Sequence, residues 1–158
     1  MKHLVTGILA VLLFSSCSGP FGPSRERAIE NAIAQVKETM SVAVPDLQQP
    51  EPYKYEGGGD CALVPGLSSS KEMLRYQVEI ALPAGDDGLE RQARTMQHWV
   101  DKGGTIRTLP YPNGPASEVD YKGGSIMAFA MQRGRTKEST GPTEFLIVAS
   151  TPCVPKID

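Results

Sequence analysis

From Met73 to Leu82 apolar and polar side chains alternate. Leu74, Tyr76, Val78, Ile80 and Leu82 share one face, and Arg75, Gln77 and Glu79 share the other. A period of two is the mark of a strand, and one polar face predicts a sheet packed on a single side. Ser24 to about Val44 has another rhythm. Ile29, Ile33, Val36 and Met40 recur at helical spacing beside Ala28 and Ala32, while Arg25, Glu26, Glu30, Lys37 and Glu38 lie mostly off that stripe. Ser24 is placed to cap this helix and Pro45 stops it. A second helix is expected after Asp86 or Asp87, either of which suits a cap. Its expected stripe is Leu89, Ala93, Met96 and Val100, and Gly103-Gly104 ends it.

The remaining segments are shorter. Tyr53 to Glu56 alternates like a strand that Gly57-Gly58-Gly59 breaks, and Cys61 to Val64 is a second short segment. Leu67 to Glu72 is expected as a polar loop. Thr105 to Leu109 is a strand, followed by a turn-rich stretch from Pro110 to Pro115 and a strand beginning near Val119. Ser125 to Gln132 and Glu144 to Thr151 are apolar on both faces, which predicts central strands; Gly134 to Pro142 between them is a polar loop. The order helix, strands, helix, strands gives an α+β domain. Two helices pack on one face of a mostly antiparallel sheet, in a single domain over residues 24–158.

Composition narrows what such a domain does. Hydrophobic residues make up 40% of the 158-residue chain and charged residues 22%, enough for a core. The formal net charge is -2. A nucleic-acid surface needs clustered Lys and Arg, so this balance argues against one, and it argues equally against a polybasic membrane patch.

The N-terminus changes the picture more. Met1-Lys2-His3 precedes an apolar run from Leu4 to Phe14, and Ser15-Ser16 lead to Cys17. The run is too short for a bilayer core, which takes roughly 20 helical residues, and has the length of a signal-peptide core. Small residues directly before a cysteine resemble the bacterial lipobox, with Phe14 where Leu is usual. The resemblance implies a signal peptide over residues 1–16, removed before Cys17, and a diacylglyceryl group on the Cys17 thiol. Two or three acyl chains anchor stably where one does not. Ser18 to Pro23 then reads as a short tether, and the domain stands on the outer side of a cell membrane. Apart from Cys17, only Cys61 and Cys153 remain. In an exported chain an even pair is most simply a disulfide. A zinc site is the rival, without a CxxC or a histidine pair to support it.

Several features together are similar to the LppA-like lipoproteins of actinobacteria. They are the lipobox, the helix closing at Val42-Ala43-Val44-Pro45, Cys61 after a Gly/Asp stretch, the Leu89 to Lys102 helix ending at Gly103, and Cys153 just past the last strand. The likeness lies in the order and spacing of elements over most of residues 24–154. It implies the anchor, the fold and the disulfide, and supplies no catalytic residues.

No motif carries recognisable chemistry. His98, the only histidine beyond the leader, has no nucleophile motif beside it and is expected on a solvated helix face. Trp99 is expected at the edge of a helix–sheet core. Gly57-Gly58-Gly59-Asp60 lacks the Lys-Ser/Thr of a phosphate loop. Asp86-Asp87 lacks the ligand count for Ca²⁺. Arg133, Arg135 and Lys137 form a small basic loop diluted by Glu138. The reading calls for no cofactor and no metal. It favours a non-enzymatic envelope domain that binds a protein partner or a small ligand. The alternative is an envelope hydrolase with a site assembled from scattered residues such as Glu79, His98 and Asp120.

Overall fold

A computed structural model describes residues 23–62, 68–111, 114–132 and 143–157. The first helix, α1 (Arg25–Ala43), is followed by β1 (Tyr53–Asp60) and β2 (Lys71–Ala81). Helix α2 (Leu89–Asp101) leads to β3 (Thr105–Tyr111), β4 (Gly114–Tyr121), β5 (Gly124–Gln132), β6 (Thr143–Ser150) and the short β7 (Val154–Pro155). The strands form one sheet in the order β1-β2-β6-β5-β4-β3, and β7 continues the β6 side of β2. Every pairing is antiparallel. The architecture is the expected α+β one, with β5 and β6 in the centre, where strands apolar on both faces belong.

Register sets which side chains meet. Val78 lies opposite Ile147, which lies opposite Ala128, and Tyr76 opposite Ala149, which lies opposite Ile126. These residues point to the helices and are buried with Leu74, Ile80, Val119 and Phe145. Each fully buried side chain of this kind contributes about 1.5–3 kcal/mol. Ser24 caps α1 by accepting from the Arg27 amide at 3.3 Å. The face α1 buries is centred on Ala28, Ala32, Val36, Thr39, Met40 and Ala43; Ile29 and Ile33, on the expected stripe, are half-buried at its margin. Alanines let the helix backbone approach the sheet, which pushes the longer side chains outward.

Helix α2 departs further. Leu89 is 63% exposed, Ala93 is exposed, and the buried residues are Thr95, Met96 and Trp99. Trp99 is fully buried, not at an edge, and its indole N–H donates to Thr39 Oγ1 at 3.0 Å. The helix is rotated so that its largest side chain fills the space between α1 and β4, and Tyr121 stacks at a tilt on the indole. Its start also differs. The N-cap is Gly88 in the left-handed region (φ 74), with no side-chain cap bond. Asp86 and Asp87 lie before it and accept from the amides of Gly88 and Leu89. A side chain at Gly88 would stand 2.6 Å from the Ala130 Cβ, so both conformation and space require glycine.

Several strand boundaries correct the sequence reading: β2 begins at Lys71, inside the stretch expected as loop, and β4 begins at Gly114. The three glycines do not end β1, which continues to Asp60 with a register irregularity between Tyr55 and Gly59. The Pro110 to Pro115 stretch is mostly hairpin, with Pro110 opposite Pro115. Cys61 and Ala62 are not in a strand. Residues 63–67 and the loop 134–142 lie outside the described residues.

Candidate functional site

The polar alternation of β2 predicts a face without helices, and the structure shows what lies on it. Register aligns three rows across the sheet. Tyr55, Arg75, Ser150, Ser125 and Asp120 form one, and Tyr53, Gln77, Val148, Met127, Glu118 and Arg107 the next. Glu79, Leu146 and Phe129 lie in the third. The result is a shallow trough of about 630 Å³ with an apolar floor and charged flanks. Met127, Phe129 and Leu146 are half-buried, and no described helix or strand lies over them.

Most of the flanking charges are hydrogen-bonded within the fold, and Arg75 reaches, among the described residues, only the Gly57 carbonyl, at 3.5 Å. Arg107 Nη2 donates to Glu118 Oε2 at 3.0 Å and to Asp120 Oδ1 at 2.8 Å. Tyr53 donates to Glu79 Oε1 at 3.0 Å and accepts from Gln77 Nε2 at 2.8 Å. A trough floored by Met, Phe, Leu and Val, with charges of both signs on its rim, suits a ligand with an apolar body and little net charge. The methionines give the floor an adaptable shape.

The Cys61–Cys153 disulfide closes one end, with Cα atoms 6.0 Å apart. Asp60 reinforces it by accepting from the amides of Ala62 and Ser69 and from Lys156 Nζ, each at 3.0 Å. The Lys156 bond, assisted by these amides, holds the Asp60 carboxyl below its ordinary value. Arg25 ties the start of α1 to the same corner through Glu72 and the Pro155 carbonyl.

The structure does not assemble the scattered hydrolase set. Glu79 and Asp120 line the trough, but His98 lies on α2, on the covered side. Its Nε2 is bonded to Glu38 at 2.7 Å, so it is half-buried and partnered instead of solvated. Burial raises the Glu38 carboxyl, but hydrogen bonds from Lys102 and His98 outweigh it and the net shift is downward. The Glu38 bond raises Lys102 in turn. Among the described residues no group of three or more His, Cys, Asp and Glu side chains could hold a metal. Residues 1–22, with Cys17 and the expected signal peptide, and the basic loop of Arg133, Arg135 and Lys137 lie outside the described residues.

The trough residues Met127, Phe129, Leu146 and Val148 were not singled out by sequence. Their only signal was that β5 and β6 are apolar on both faces, which reads equally well as double cover. The chain matches no known family model, no curated protein and no solved structure.

Proposed function

We propose that this chain is a lipoprotein held on the outer face of a cell membrane through Cys17, and that it binds an apolar, charge-balanced ligand on the open face of its sheet without transforming it. What supports the anchor is sequence: the short apolar leader, the small residues before Cys17 and the likeness to LppA-like lipoproteins. No described helix is long and apolar enough to cross a membrane. The single observation that carries the binding reading is the trough, in which Met127, Phe129, Leu146 and Val148 line one continuous floor.

Two measurements test the two halves. Mass analysis of the N-terminal peptide from membranes should find an acylated Cys17; an unmodified cysteine in a soluble fraction overturns the anchor. For the ligand, the neutral fluorescent probe N-phenyl-1-naphthylamine should bind the full chain saturably. Met127→Lys, which faces Glu118 across the strand pair, should weaken it tenfold or more. Probe binding that is absent, or unchanged in Met127→Lys, overturns the reading.

A further inference from the structure

A second groove of about 370 Å³ lies on the helix side of the sheet. One stripe of α1 lines it with Arg27, Asn31 and Gln35, and Pro23 stands at its mouth. Lys102, the C-cap of α2, and Lys122 of the β4–β5 turn also line it. Trp99 and Tyr121 lie beneath. Lys102 Nζ is 5.0 Å from the centre of the Trp99 ring, and Lys122 Nζ is 5.0 Å from that of Tyr121.

The charges here are unequally engaged. Glu38, the one carboxylate lining the groove, is bonded to both Lys102 and His98. Arg27 and Lys122 have no ion pair among the described residues. Lys122 is also held in place: it occupies the left-handed region (φ 50), followed by Gly123 (φ 81), in a two-residue hairpin closed by the Tyr121–Gly124 pair. The groove therefore presents two unpaired cations and two side-chain amides on an otherwise acidic chain. That donor set fits a singly charged phosphodiester. These cations come from distant segments, so no basic run reveals them.

Position selects the source of that phosphate. An extended chain from Cys17 to Pro23 reaches at most about 20 Å. If Cys17 carries lipid, the groove is held at the bilayer surface. Resting on that anchor reading, we infer that the groove between α1 and the β4–β5 turn seats the phosphodiester head group of an anionic membrane lipid, fixing how the domain sits on the membrane.

Trp99 is the only tryptophan of the chain and lines the groove, so its fluorescence reports occupancy. The full chain in nonionic detergent is titrated with dihexanoyl phosphatidylglycerol, its phosphatidylcholine analogue and inorganic phosphate. The glycerol lipid should give a saturable change that weakens with salt. The choline lipid, whose phosphodiester is neutralised by its own quaternary ammonium, and inorganic phosphate should each bind at least tenfold more weakly. Arg27→Gln with Lys122→Asn should weaken the lipid at least tenfold. Asn suits the left-handed position, and Asn-Gly suits the turn, so the fold is preserved; an unchanged melting temperature checks this. Equal response to both lipids, phosphate binding as tightly as lipid, or a variant that titrates like the parent overturns the seat. Acylated Cys17 with a silent titration sinks the seat alone. Unmodified Cys17 removes the anchor while leaving the titration to be read as it stands.

Discussion

One sheet carries two apolar surfaces and uses them differently. On the covered face Val78, Ile126, Phe145 and Ile147 are wholly buried beneath Val36, Met40 and Trp99. On the open face Met127, Phe129 and Leu146 come from the same central strands at alternate positions, yet stay half-exposed. The same period of two generates both. Among the described residues what separates them is cover, so the first surface stabilises the fold while no described element packs on the second. Substitutions matched across the sheet break or sharpen that distinction. Val36→Asp places a charge with no partner in a fully buried position and should cost more than about 4 kcal/mol, leaving the domain largely unfolded. Met127→Lys, with water on one side and Glu118 opposite, should cost about 1 kcal/mol or less. Urea unfolding of the two variants decides it. Comparable losses would mean that the open face is a second core.

The disulfide tests the rim between these surfaces. Cys61 and Cys153 join the end of β1 to the stretch after β6. Cys61→Ser, Cys153→Ser and the double variant should each lose about 2–5 kcal/mol, and by equal amounts, because all three remove one crosslink. A double variant much weaker than either single one would show that the sulfurs stabilise by packing instead.

The two faces were unequally legible in the sequence. The face of β2 that packs on the helices could be read outright, because Leu74, Tyr76, Val78 and Ile80 alternate with charges. The pairing of Cys61 with Cys153 followed from an even cysteine count, and it located the C-terminus beside β1, which periodicity could not. Helix α2 was misread. Leu89, Ala93, Met96 and Val100 form a plausible stripe, but Trp99 buries the most surface and turns the helix about its axis to do so. Thr95 and Thr39 go in with it because their hydroxyls find partners: Thr95 donates to the Arg91 carbonyl, and Thr39 accepts from the indole. The trough and the Arg27–Lys122 groove were invisible for another reason. Each is made by register and crossover, which place side chains from distant segments together without leaving a local pattern.

Charge engagement gives the smallest and most specific contrast. On the helix side Arg91 clamps the end of α1 to the start of α2. It donates to both Asp46 oxygens at 2.8 and 3.0 Å, to Asp86 at 2.7 Å and to the Ala43 carbonyl at 3.0 Å, with its side chain 13% exposed. On the open face Arg107 joins Glu118 and Asp120, but its side chain is 54% exposed. Water screens the second arrangement more, so Arg107→Ala should move the melting temperature by no more than about 2 °C, and Arg91→Ala by more. Acid tests the Arg91 clamp by itself. The Arg91 bonds lower the Asp46 carboxyl from 3.8 to about 2 and hold Asp86 down as well. Because the folded pKa lies below the unfolded one, the clamp's contribution is complete above pH about 4 and fades as pH falls through about 2. Arg91→Ala should therefore flatten the fall in melting temperature across that window. Thermal melts at several pH values between 5 and about 2 read this directly. An unaltered slope in Arg91→Ala would show that the clamp orients the two helices without contributing to acid stability.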